Sequence, residues 1–293
     1  VPDTAIVAGQ PPRHREEPVE TAPSPRPVVA ALAGASVRRF TTDQVILDGI
    51  DWTVRAGEHW ALLGANGAGK TTILRLLGAT THPTEGTVDV LGHRLGRVDV
   101  RELRARIGFV SSAQKVPLDE TAHTIVLTGA TGTVQPLWRK YDDATHRRAH
   151  ELLAELDLKE LADRPYAVCS GGQRARILIA RALIAAPGLL LLDEPFNALD
   201  LPSREDLVDA MHRLAAARPD LATITVTHHL EELAPNIGHA LLLRDGRVQA
   251  AGRVHDVLTG RHLTECFGRP IEVTYHGTRW QAYSPRTQLT PPS

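Results

Sequence analysis

The octapeptide Gly64-Ala65-Asn66-Gly67-Ala68-Gly69-Lys70-Thr71 constrains the fold more than any other part of this 293-residue chain. It matches the pattern G-x-x-x-x-G-K-[ST], follows a short apolar run from His59 to Leu63, and precedes Thr72 to Leu77, which has helical character. Strand, loop, helix is the order that a phosphate loop requires. Glycines 64, 67 and 69 let backbone N–H groups turn inward onto phosphate oxygens, and a helix starting near Lys70 points its positive end at the same place. Lys70 is then expected to reach the β- and γ-phosphates of a nucleotide, and Thr71 to ligate Mg²⁺. Gly64 to Thr72 together form the candidate nucleotide-binding segment, and an α/β fold follows from it.

A second constraint is the run Leu189-Leu190-Leu191-Leu192-Asp193-Glu194. A fully apolar stretch ending in two carboxylates reads as a buried parallel strand that delivers them to the C-terminal edge of the sheet, beside the phosphate loop. Asp193 is expected to hold Mg²⁺ through water, and Glu194 to orient or deprotonate the attacking water. Between the two lies Ser170-Gly171-Gly172-Gln173, followed by RARILIARAL, with small residues at a helix start where amides and the Ser170 hydroxyl can approach a phosphate. Taken alone, Ser170 reads as a helix cap. Ordered after Lys70 and before Glu194, it reads as a ligand contact.

The rest of the chain supplies the frame. Residues 1–27 hold seven of the twenty prolines and no apolar periodicity, which predicts a disordered Pro-rich tail and not a signal peptide. Val45 to Leu47, Trp52 to Val54 and Thr87 to Val90 read as short antiparallel strands, punctuated by Asp48-Gly49 and Ala56-Gly57. Leucine spacing within charged sequence from Asp142 to Ala162 predicts a mostly helical subdomain over about 111–186. IEVTY and TRWQAY, joined at His276-Gly277, predict a hairpin in which Tyr275 faces Thr278, Val273 faces Trp280 and Ile271 faces Ala282. The domain reading is therefore a tail over 1–27, a nucleotide-binding domain over 28–260, and an accessory hairpin and tail over 261–293.

With 33 basic and 34 acidic side chains, the charge balance gives no reason to expect a nucleic-acid partner. Cys169 and Cys266 have neither disulfide-framework nor zinc-site spacing, which suits a reducing compartment. Ala182 to Leu192, interrupted by Pro187 and Gly188, falls well short of the roughly 20 apolar residues of a membrane helix.

Taken in order, GANGAGKT, CSGGQ and LLLLDE resemble the nucleotide-binding domain of an ATP-binding cassette (ABC) ATPase, over roughly Val28 to Leu258. The resemblance implies a P-loop NTPase fold of ABC type, with an antiparallel β subdomain, an inserted helical subdomain and, here, a small C-terminal β-hairpin. It implies ATP and Mg²⁺ as ligands. It also implies that Ser170, Gly171, Gly172 and Gln173 act on ATP held by a second subunit of a head-to-tail dimer, here expected to be a homodimer. Asp200, in Asn197-Ala198-Leu199-Asp200, is similar to the loop that connects the two sites. His228 matches the switch histidine at the γ-phosphate, and Phe40 the aromatic that stacks on adenine. The residues alone leave His228 and His229 as solvent-facing residues opening a helix, and Phe40 as a core aromatic.

The chain departs from the family at IGFVSSAQ, residues 107–114, where Ser112 stands in place of a glutamine that contacts Mg²⁺ and follows the membrane partner. Gln114 substitutes for it only if the loop bulges. Cys169 replaces the usual leucine before SGGQ, a modest change for a small hydrophobe. IGFVSS, VTHHLEEL and HALLLRDGRV further resemble a bacterial subgroup related to molybdenum or iron uptake ATPases. The resemblance implies the ATP-hydrolysing subunit of a transporter, an importer, that powers a separate integral membrane permease by dimer closure. A solute-binding protein is a further implied partner, and the location is cytoplasmic, peripheral on the inner face of the cell membrane. Two other readings stay open: an ABC ATPase of cofactor-assembly type outside transport, and a nucleotide-switched binding module with little hydrolysis, motivated by Ser112.

Overall fold

The computed structural model describes residues 26–39, 41–111 and 113–285; Phe40, Ser112 and most of the proposed N-terminal tail lie outside them. Twelve strands and eight α-helices are present among the described residues. β1 (Val28–Arg39), β2 (Gln44–Arg55) and β3 (His59–Leu63) lead into α1 (Lys70–Leu77), then β4 (Glu85–Val90), β5 (His93–Arg94), α2 (Val100–Ala105) and β6 (Ile107–Ser111). α3 (Ala122–Thr131), α4 (Asp143–Glu155) and α5 (Gly171–Leu183) follow, with short 3-10 turns between them. β7 (Leu189–Asp193), α6 (Leu201–Ala217), β8 (Ala222–Val226), β9 (His239–Arg244) and β10 (Arg247–Arg253) complete the central layer. α7 (Val254–Val257), α8 (Gly260–Phe267), β11 (Glu272–His276) and β12 (Arg279–Tyr283) close the chain.

One sheet is antiparallel, in the order β2-β1-β4-β5; the second has the order β10-β9-β3-β8-β7-β6 and is parallel except for the β9–β10 pair. β7 shows why its sequence is an unbroken leucine run. Leu189 and Leu191 join a core with Ile73, Leu74 and Leu77 of α1, whereas Leu190 and Leu192 join a core with Ile177 and Ile179 of α5. A strand covered on both faces has no position left for a polar residue until it reaches the edge. α1 and α5 therefore lie on opposite faces of the parallel sheet. On the α5 side, helices α3 and α5 cross closely at Gly129, where an added Cβ would stand 2.0 Å from the Arg181 carbonyl oxygen.

Two local expectations need correction. The runs on either side of Asp48-Gly49 are not separate strands, because β2 continues through them. Register shifts against β1 take up the irregularity, the Gly49 N–H donates to Ser36 Oγ (2.9 Å), and the Asp48 N–H donates to the Gly246 carbonyl (2.9 Å). The hairpin register also differs: Tyr275 pairs with Trp280 and Val273 with Ala282, so the two-residue loop is Gly277-Thr278. Gly277 has φ +61°, and a glycine at the first loop position suits the twist of the flanking strands. Because partners shift by two residues, the same side chains still share a face. That face carries Trp280 into a third core with Leu230, Leu233, Val254 and Leu263.

Candidate functional site

The phosphate loop leaves β3 at Gly64 and enters α1 at Lys70. Gly64 has φ +155°, and a Cβ there would stand 2.2 Å from the Leu243 carbonyl oxygen of β9, so a larger residue would displace the loop from the sheet. Lys70 is 6% exposed; its Nζ donates to the carbonyls of Gly64 (2.7 Å) and Ala65 (3.0 Å), curling the loop around the ammonium. Burial lowers the Lys70 pKa, while the carboxylates of Glu194 and Asp193 act in the opposite sense. Buried positive charge, inward amides and a helix start together make a site for an anion with several oxygens.

β7 brings its two carboxylates to this loop. Thr71 Oγ1 donates to Asp193 Oδ1 at 3.4 Å, and burial, followed by the charge of Glu194, raises the Asp193 pKa. Glu194 has a left-handed backbone, φ +51°, and its N–H donates to the Val226 carbonyl at the end of β8 (3.1 Å). His228, just beyond β8, places Nδ1 3.7 Å from Glu194 Oε1. A cavity of ≈ 150 Å³ is bordered by Glu194, Ala198, Arg204, Thr227 and His228.

Neighbouring residues that sequence reasoning passed over hold this arrangement. The Thr227 hydroxyl pairs with the Glu232 carboxylate, whose pKa burial raises, and also accepts from the His229 N–H (3.0 Å). Arg204 Nε is buried at the cavity without a hydrogen-bond partner. The sequence signal for Thr227 and Glu232 was their place in VTHHLEEL, beside a histidine already singled out; Arg204 carried none.

Ser170 and Gln173 form a capping box at the start of α5: Ser170 Oγ accepts from the Gln173 N–H (3.2 Å), and Gln173 Oε1 accepts from the Ser170 N–H (2.9 Å). Asp200 caps α6, accepting from the Ser203 N–H (3.0 Å); hydrogen bonding from the Ser203 hydroxyl, followed by this N–H, lowers its pKa. The two turns touch, since a Cβ on Gly172 would stand 2.7 Å from Ser203 Cβ, and one on Gly171 3.1 Å from Leu199 Cδ2. The structure thus gathers Lys70, Thr71, Asp193, Glu194 and His228 at the end of the sheet, and sets the Ser170 turn at the start of α5, the helix on the face opposite α1, in contact with the turn that Asp200 caps.

Gln114 donates its N–H to the Ser111 carbonyl (3.0 Å), and its buried Oε1 has no partner. A groove of ≈ 550 Å³ is lined by Arg38, Thr41, Ile46, Thr72 and Arg75.

The family model described as ABC transporter matches residues 47–197, the stretch from within β2 to the loop after Glu194. The chain belongs to the ABC transporter family. It is an ABC ATP-binding protein, and members of the family hydrolyse ATP. Among its relatives is YlmA of Bacillus subtilis (strain 168), an uncharacterised ABC transporter ATP-binding protein, 41% identical over 86% of this chain and 96% of YlmA. The hemin import ATP-binding protein HmuV of Streptomyces coelicolor is 36% identical over 88% of this chain and 90% of HmuV. Among solved structures, a dimeric ATP-binding cassette in a post-hydrolysis state, bound to ADP and Pi, superposes with a TM-score of 0.66 at 25% identity, covering 77% of this chain and 99% of the other. The ABC fold expected from the motifs is the fold found. Among the described residues, no helix of the ABC protein is long and apolar enough to cross a membrane.

Proposed function

We propose that this chain is the motor subunit of an ABC importer, acting as a head-to-tail homodimer on the cytoplasmic face of a membrane and driving a separate permease. The organisation proposed for it is an ATPase domain over 28–260, with a helical subdomain over about 111–186, and an accessory C-terminal region over 261–293. The observation that carries the dimer is that Ser170 caps α5, on the face of the sheet opposite α1, the helix that the phosphate loop enters. A chain so built offers Ser170 to a nucleotide held elsewhere. Capping does not exclude that role: a serine hydroxyl has two acceptor sites and one donor, so Ser170 Oγ can accept from Gln173 and still donate to a phosphate oxygen.

In this reading Lys70 exchanges its two carbonyl acceptors for phosphate oxygens, and the amides of Gly64 to Thr72 take the rest of the anion. Phe40 stacks on adenine, Asp200 transmits between the two sites, and His228 approaches the γ-phosphate. Glu194 takes up the proton of the attacking water, and its left-handed backbone turns the carboxylate toward His228. The donor set fits Mg²⁺, since Thr71 and Asp193 offer hard oxygens 3.4 Å apart. Among the described residues no group of three or more His, Cys, Asp or Glu side chains forms a metal site, so phosphate and water must complete the shell. When bound, Mg²⁺ would neutralise charge on the phosphate oxygens. Gln114, with its unpartnered buried oxygen, is the candidate for the glutamine role that Ser112 cannot fill. The importer assignment leans on the hemin importer among the relatives. Its substrate is left to the permease and any solute-binding protein.

The dimer is tested by mixing two inactive variants. Ser170→Arg keeps its phosphate loop, Lys70→Ala keeps its Ser170, and a mixed dimer has one intact composite site. Mixing should recover about a quarter of wild-type turnover, because half of the dimers are mixed and each has one working site. No recovery, or full activity of Ser170→Arg alone, overturns the proposal. Co-purification of a multi-span permease with the tagged chain is the expected result for transport; capture of soluble partners only reverses it.

A further inference from the structure

The C-terminal hairpin is more than an attachment to the third core. Arg279, the first residue of β12, donates through a single Nη2 to Glu205 Oε1 on α6 (2.7 Å) and to the carbonyl of Glu231 (2.8 Å). Glu231 is the middle residue of the 3-10 turn Leu230–Glu232, which starts two residues after His228. The adjacent Trp280, 7% exposed, packs with Leu230 and Leu233 of the same segment. Tyr275 and His255 hold the Trp280 ring, at centroid distances of 4.7 and 5.0 Å. The hairpin therefore grips this turn through a buried ring and a hydrogen bond at once.

The two partners of Arg279 adjoin the two walls of the Glu194–His228 cavity, Glu205 following Arg204 and Glu231 preceding Glu232. One wall is the Ala198 to Arg204 segment, which runs into α6 and Glu205; the other is Thr227 to Glu232. Within the second wall, Thr227 Oγ1 ties to Glu232 and to the His229 N–H, which closes the segment into one small hydrogen-bonded loop that carries His228. His228 Nδ1 stands 3.7 Å from Glu194 Oε1, beyond hydrogen-bond length, so a small displacement of the loop changes what the imidazole can reach.

We propose that Arg279 is a positioning residue for ATP hydrolysis, through which the C-terminal hairpin staples α6 to the His228 loop and holds His228 beside Glu194. This rests on the proposed role of His228. An exposed ion pair contributes little to stability. The Arg279–Glu205 pair is only partly exposed, at 25% and 45%, and its second hydrogen bond fixes a backbone carbonyl, so its effect falls on geometry.

The test uses the full chain, with steady-state ATPase kinetics and backbone hydrogen exchange. Arg279→Gln should lower kcat about tenfold, the scale of a modest misplacement at a reacting centre, with KM for ATP unchanged within about twofold. Glu205→Gln should lower kcat in the same way, and Arg279→Lys should recover at least about half of the loss, since the ammonium keeps a charged donor. Exchange at the amides of Glu232 and Leu233 should quicken while those of β7 are unchanged. Wild-type kcat in Arg279→Gln overturns the proposal, as does a loss of kcat accompanied by a general fall in exchange protection. His228→Ala turning over at the wild-type rate instead removes the role of His228, and the staple loses its target however Arg279→Gln behaves.

Discussion

Glu194→Gln should retain ATP binding and lose turnover by about 10²- to 10⁴-fold, the range for removal of a positioned general base. The amide keeps the shape of the carboxylate, and the backbone bond from Glu194 N–H to the Val226 carbonyl is untouched. What disappears is the proposed proton acceptor, the carboxylate facing His228. ATP then binds and is not consumed, so an ATP-bound dimer accumulates, visible as a doubling of mass in light scattering when ATP is added. A Glu194→Gln protein that hydrolyses ATP at the wild-type rate would move the base elsewhere.

Lys70→Ala acts one step earlier. Its Nζ, desolvated and held by two carbonyls, is the positive charge proposed to meet the phosphates. Losing a charge-assisted donor from a buried site costs roughly 3 kcal/mol, so ATP affinity measured by calorimetry should fall by about a hundredfold or more. The sign of the pKa shift says what happens to the empty protein. Because burial lowers the Lys70 pKa, the unfolded chain holds that proton more tightly, and below the folded pKa this group by itself favours unfolding. The variant should consequently remain folded, which a thermal melt checks. Affinity within about twofold of wild type would mean that the loop lysine does not hold phosphate.

The parts of the molecule that were legible in the sequence are those set by local rules. A phosphate loop needs its glycines, its lysine and its flanking elements within a few residues, and a strand buried on both faces has to be apolar along its length. Lys70, Thr71, Asp193 and Glu194 follow from such rules. The hairpin was legible as an object, yet its register depended on which of two loop positions Gly277 occupies, and both choices keep the same apolar face. Asp48-Gly49 has turn chemistry, but Ser36 and Gly246 supply hydrogen bonds that keep the chain in one strand. Ser170 carried two meanings, cap and ligand contact; the structure shows the cap, and the ligand contact is the proposal. Arg279 was invisible because its partners stand 74 and 48 residues away, and no pattern near it announces them.

Mechanically, the leucine strand is a beam shared by two rooms. One side carries the phosphate-loop helix and the other carries the Ser170 helix, and the beam ends at Asp193 and Glu194. In the proposed dimer, a load applied to the Ser170 side by a second subunit would reach the carboxylates through the packing of α5 on Leu190 and Leu192. It passes along a single backbone whose alternate side chains are clamped in different cores. The acidic pair thus sits at the end of that beam, where, in the proposed dimer, a load on the Ser170 side would be felt as a tilt of Asp193 and Glu194.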